Sequence, residues 1–329
     1  MSGQSVKPRL EHYYDGSELV LVGVDKTNPF VYDNDIFTDT VDFYFDAAMS
    51  RLNHGTMKGI VVTCNILEPQ VGFQRQMDDA RRAVDLCRTS NMGSIPDPVF
   101  GASGKLVRPA DGDLESTPYC RSDGSDTIVR AAHEFGSVER PLIVFVGGQP
   151  TTVASAYLQD TTIADKVIVC HIDPLGYNGA DSWATYLCAK RMRYFAWGNP
   201  DVWWWKGTYE NQVILDPPIL PDAGFDALPE NPLCRYLKTT YRYAWPNNVY
   251  HDLGDGAIGI YLQDRTHFSA VKWRTARYQD GCLFSDAERG GGDVLAVSAM
   301  TDENKRNQGS VFFDIMGNKF VYAGDAQWT

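Results

Sequence analysis

A chain of 329 residues with 43% apolar content has the material for a large core, and its net charge of −12 at pH 7 excludes a nucleic-acid partner held by clustered Lys and Arg. No run nears the roughly 18–20 apolar residues of a membrane-spanning helix, and the polar stretch 1–9 lacks the apolar centre of a secretion signal, so a soluble cytoplasmic protein is expected. Seven cysteines, an odd number without CxxC spacing, support neither a zinc site nor a disulfide framework and read as reduced core residues.

In chain order, LVLVGV at 19–24 reads as a buried strand, and 39–52 as a helix with Val41, Phe45, Ala48, Met49 and Leu52 on one face. GIVVTC at 59–64 reads as a second strand, followed by a helix over 71–88 rich in Arg and Asp. A loop around 91–115 leads to a helix over 124–134, a strand over 142–146, a helix over 151–158, a strand over 166–170 and a helix over 181–193. This alternation predicts an α/β fold, a mostly parallel central sheet with helices on both faces, in the manner of a Rossmann-like open sheet. Such sheets bind ligands at the carboxyl ends of their strands, so the residues just after each apolar run are the ones to inspect.

Past Arg193 the pattern breaks. Trp203, Trp204 and Trp205 and a proline-rich stretch over 216–232 predict a covering loop or insertion at about 198–248, within one domain spanning 1–329. An apolar helix-like run over 249–263 and a final strand pair over 311–322 close the reading.

The most informative stretch is DNDIFTDTVD at 33–42, with Asp46 one helical turn further. Asp33 and Asp35 share a face if the segment is extended, Asp39 stands at a helix start as a cap, and Asp42 lies on the first turn. Carboxylates gathered in a small volume raise one another's pKa, and a hard cation such as calcium or magnesium relieves this through oxygen ligands. Phe37, Thr38 and Tyr44 occupy positions that exclude an EF-hand. A capped helix bearing surface acids is the plainer alternative.

This acidic stretch resembles the aspartate motif near the N-terminus of nucleoside hydrolases, and three further segments follow in the family's order. GIVVTCN at 59–65 is similar to the strand that ends in Asn, PLIVFVGGQPTTVASA at 141–156 to the strand, glycine turn and helix, and GDGAIGIYL at 254–262 to the late helix start with its Asp. The likeness spans roughly 19–263 and implies a nucleoside hydrolase-like fold and hydrolysis of an N-glycosidic bond with Ca2+ as cofactor. It implies that Asp35 binds calcium and activates water, that Asp42 is a bidentate ligand, that Asp33 supports them, and that Val146 offers its backbone carbonyl. Asp255 is the preferred last ligand, with Asp252 the alternative. Asn65 holds sugar hydroxyls, Asn178 or Asp181 stands in for a second sugar-binding segment, and His251 is the candidate for the leaving group. Trp183, with Trp197 and Trp203–Trp205, is a candidate for stacking on base or sugar. Val41 replaces an aspartate that contacts a ribose hydroxyl in the family, and Phe37 replaces a turn glycine. The competing reading is therefore a non-catalytic relative that binds a sugar or a partner.

Other motifs carry less. Gly254-Asp255-Gly256-Ala257-Ile258-Gly259 fits GxGxxG, with Asp280 about twenty residues on, but the segment before it is a poor buried strand. No GxSxG elbow is present, and Gly147-Gly148 is not followed by GK[ST]. The expected ligand is a small nucleoside or ribosyl compound, with no nucleic acid and no membrane. The oligomeric state stays open, a homo-oligomer included.

Overall fold

The computed structural model describes residues 7–35, 41–66, 72–175, 179–197, 222–242, 257–265, 268–287, 291–300 and 302–323. The chain opens with a hairpin of β1 (His12–Asp15) and β2 (Glu18–Leu21), turned at Gly16 with φ +60°. The strand read over 19–24 therefore forms, but in this separate two-stranded sheet and not in the central one. Tyr261 fastens it from inside, its hydroxyl donating to Leu19 O (2.9 Å) and accepting from Leu21 N (3.0 Å).

The central sheet has nine strands. Six are parallel and lie in the order β5 (Pro98–Phe100), β4 (Met57–Val62), β3 (Phe30–Asn34), β6 (Leu142–Val146), β7 (Val167–Ile172), β8 (Arg193–Trp197). β11 (Val294–Met300) adds in parallel to β8, and β9 (Phe268–Tyr278) and β10 (Cys282–Asp286) follow it antiparallel, the hairpin between them turning at Asp280-Gly281. Asp280 thus sits in a hairpin turn and ends no strand of a dinucleotide-binding unit.

Alternate side chains sort into two cores, as the two-residue period of a strand requires. Phe30, Tyr32, Ile60, Val62, Ile143 and Phe145 pack with residues of α1 (Asp42–Leu52) and α2 (Phe73–Thr89). Val31, Val61, Val144, Val146 and Val169 pack on the other face with α3 (Asp123–Phe135), α4 (Thr151–Gln159) and α5 (Ser182–Arg191). Such burial on both faces is why LIVFV in β6 reads as an unbroken apolar run. Two short helices, α6 (Asp222–Asp226) and α7 (Pro232–Tyr236), precede α8 (Ala257–Gln263), and α7 docks on the end of α2 where Leu233 N donates to Ser90 Oγ (2.8 Å).

Four sequence readings change. β5 lies inside the stretch expected to be a loop, and β8 follows α5 directly, where regular alternation was expected to end. The strands β9 and β11 occupy a region that carried no strand prediction. The strand pair expected over 311–322 is instead the end of α9 (Asp302–Met316) and a 3-10 turn (Lys319–Tyr322). Phe312 and Met316, four apart, are both buried, a spacing that puts them on one face of a helix and of a strand alike, which is why the run read as strand. Among the described residues no helix is long and apolar enough to cross a membrane, and the seven cysteines are free.

Candidate functional site

From β3 the chain order runs outward through β4 and β5, and from β6 the opposite way through β7 and β8. The reversal between β3 and β6 is a topological switch point, where the loops leave in opposite directions and a crevice opens at the carboxyl ends. The acidic motif emerges there. Asp33 pairs in register with Val61 on one side and Val146 on the other, and Val146 with His171, so these four form a row at the rim on the face covered by α3, α4 and α5.

Asp33 is buried. Its Oδ1 accepts from Thr63 Oγ1 (2.5 Å), which lies 2.8 Å from Thr152 Oγ1 in the first turn of α4. Thr152 Oγ1 accepts from Ala102 N (2.9 Å), so a donor chain runs from Ala102 through two threonines to the carboxylate. Gly101 makes the room for it, since a Cβ there would come within 2.5 Å of Thr152 Oγ1 and 2.9 Å of Thr63 Oγ1. Asp33 Oδ2 has no hydrogen-bond partner among the described residues.

Burial raises the Asp33 carboxyl from 3.8 to about 7, against the lowering effect of the Thr63 hydrogen bond. The folded chain then holds this proton to about pH 7 and the unfolded chain releases it near 3.8. Its stabilising contribution is full below 3.8 and is lost as pH rises to 7, by about 4 kcal/mol at most. In chelating buffer, stability is expected to fall between pH 4 and 7 more steeply in the wild type than in Asp33→Asn; equal slopes by urea unfolding refute the assignment.

Asp35 follows the end of β3 and is 2% exposed. It lies flush against Gly148, where a Cβ would come within 2.8 Å of its Cγ and 3.0 Å of its Oδ1. On the β4 side its charge reaches Cys64, whose thiol is pushed up first by burial and then by the Asp35 carboxylate. Asn65, next in the chain, is 1% exposed. The Gly147-Gly148 turn is held at two points. Gly147 N donates to Asp33 O (2.9 Å), and Gly148 O lies 3.0 Å from His171 Nε2. A carbonyl only accepts, so Nε2 carries the proton, and in that tautomer Nδ1 accepts the hydrogen bond that the Tyr194 hydroxyl donates (2.5 Å). Gly148→Ala is expected to displace Asp35 by several tenths of an ångström while the chain stays folded; a structure of the variant with Asp35 unmoved contradicts this packing.

Asp42 opens α1 and is completely buried, as is Asp46 one turn on, which lies against Gly259 of α8. Val41, the residue at the N-cap, is 0% exposed within the apolar core. Asn178, His251 and Asp255 lie outside the described residues, as do Asp252 and Trp203–Trp205.

Two candidates are occupied by the fold. Asp181 caps α5 through Ala184 N (3.1 Å), and its Oδ2 also accepts from Leu106 N (2.8 Å) and Thr151 Oγ1 (2.7 Å). Three of about four acceptor positions are thereby filled. Trp183 is 3% exposed, donates to Thr117 Oγ1 (3.0 Å) and packs edge-on to Tyr278, with Arg108 over its ring. Sequence reasoning missed Thr63, Thr152 and Tyr194, although both threonines lie within the two motif strings.

The donors are oxygens, which suits a hard cation, and the orphan Asp33 Oδ2 is an atom that such an ion would engage. Among the described residues, however, no group of three or more His, Cys, Asp or Glu side chains is placed to hold a metal. The fit is thus one of donor chemistry, with the ligand set incomplete among the described residues.

No protein-family model matches this chain, and no curated protein matches it in sequence. Solved structures match it over most of its length. They include an inosine-guanosine nucleoside hydrolase (TM-score 0.59, 10% identity, 88% of this chain and 98% of that one). A purine-preferring ribonucleoside hydrolase from Gardnerella vaginalis also matches (0.55, 11%, 88% and 99%). So does the type III effector protein XopQ complexed with adenosine diphosphate ribose (0.53, 12%, 88% and 94%). The chain has a nucleoside hydrolase-like fold; at this identity the likeness shows the fold alone.

Proposed function

We propose, on this nucleoside hydrolase-like fold, that the chain hydrolyses the N-glycosidic bond of a nucleoside or related ribosyl compound. The observation that carries the reading is the placement of Asp33 and Asp35 on the β3 side of the β3/β6 switch point, with Gly148 flush on Asp35 and Asn65 buried beyond the end of β4.

Asp35 takes a proton from the attacking water, whose oxygen bonds to C1′ as the bond from C1′ to the base nitrogen breaks. The departing base takes up a proton, a role that falls to His251, outside the described residues. Asn65 holds sugar hydroxyls. Asp33, fixed by the Thr63 and Thr152 chain, keeps the end of β3 in place behind Asp35. Asp35, Asp42, the Val146 carbonyl and Asp255 would hold calcium, with Asp33 beside them. When bound, the ion supplies a water of lowered pKa and an anchor for hydroxyls.

The test is release of free base from inosine and uridine by the purified chain, with calcium and with chelator. Turnover that chelation abolishes and calcium restores is expected. Calcium binding without turnover of any nucleoside favours the second reading, a ribosyl-binding protein that does not cleave. One observation supports that reading: Val41 is wholly buried and cannot present a polar group to a sugar. No calcium binding by titration calorimetry removes the cation from the proposal.

A further inference from the structure

Gln149 follows Gly148 in the turn between β6 and α4 and is 0% exposed. Its Oε1 faces Ile66 N at 3.4 Å. An N–H only donates, so this contact fixes which end of the amide is oxygen and turns Nε2 the other way. Nε2 has no hydrogen-bond partner among the described residues. In the sheet β3 lies between β6 and β4, so a carboxamide that starts after β6 and reaches the residue after Asn65 crosses the end of β3, where Asp35 emerges.

A buried amide donor left unmade is costly, and an apolar side chain of equal length would fill the same space without that cost. We infer that Gln149 Nε2 donates to an oxygen of the ligand bound in this crevice, which makes Gln149 a specificity-determining residue for a hydroxyl-bearing, ribosyl-type ligand. This rests on the ribosyl reading above and adds to it. The apo chain carries a donor aimed at an acceptor that only the ligand brings. A site so built discriminates strongly against analogues lacking that acceptor, because the donor then stays buried and unpaired.

The experiment measures binding of inosine, 2′-deoxyinosine and 3′-deoxyinosine by calorimetry to the wild type, Gln149→Met and Gln149→Glu, with thermal unfolding of each ligand-free chain. Methionine keeps the length and removes the donor; glutamate, measured at a pH high enough to ionise its buried carboxyl, keeps the oxygen that faces Ile66 and also lacks the donor. Both variants are expected to bind inosine about tenfold more weakly, with ligand-free Gln149→Met as stable as the wild type or more so. The deficit is expected to shrink for the one deoxy analogue whose missing hydroxyl is the acceptor, and to persist for both analogues if the acceptor is another ligand oxygen. Wild-type affinity in either variant overturns the inference and leaves the ribosyl reading standing. A wild-type chain that binds none of the three overturns both. If Gln149→Met is markedly less stable, the glutamate variant decides: full affinity there overturns the inference, and a tenfold loss upholds it.

Discussion

Asp35→Asn is expected to lower nucleoside cleavage by about 10³-fold, within the range that a positioned general base contributes. Asparagine fills the same space beside Gly148, so the packing that would otherwise confuse the result is kept. The variant is expected to unfold at the wild-type temperature or above, because a buried carboxylate is exchanged for a neutral group. Steady-state rates and thermal unfolding on one preparation separate the two effects. Activity within tenfold of the wild type rules out Asp35 as the base. A collapse of stability shows that its charge serves the fold.

Asp181→Ala is expected to do the reverse, costing about 3 kcal/mol of stability and leaving ligand affinity intact in the chain that remains folded. The estimate combines loss of the α5 cap with the two buried donors, Leu106 N and Thr151 Oγ1, that lose their acceptor. Burial raises the Asp181 carboxyl, opposed by the hydrogen bonds from Leu106, Thr151 and Ala184, so the site works as an acceptor for backbone and hydroxyl donors at some cost in charge. Urea unfolding at constant slope reads the loss. Unchanged stability with weakened inosine binding would return Asp181 to the sugar.

The parallel half of the sheet was legible because its strands announce themselves: LIVFV and VIVCHI are buried at every position, and only His171 among them is not apolar. β5 escaped notice because three residues make no pattern, and β8 because RYFAW follows α5 with only Met192 between. The terminal run around Phe312 was misread because a short apolar cluster fits both periods, and only its packing partners decide. At the site, Asp33 and Asp35 stand out in one dimension as charges at a strand end, whereas Asn65 entered through the resemblance to the family's motif. The Thr63–Thr152 pair, 89 residues apart in the chain, was not, since a threonine in a strand and another in a helix are individually ordinary. Gln149 was hidden for a different reason. Its meaning depends on which way the amide is turned, and only the Ile66 N–H fixes that.

The acid assigned to the chemistry continues directly from a strand bonded on both sides, among the last parts of such a sheet to open. Catalytic competence and global integrity are therefore expected to vanish in one event, with no inactive but otherwise native intermediate on the way. A small molecule that grips this strand end would slow amide exchange far from where it sits, by mass action on the whole unfolding equilibrium.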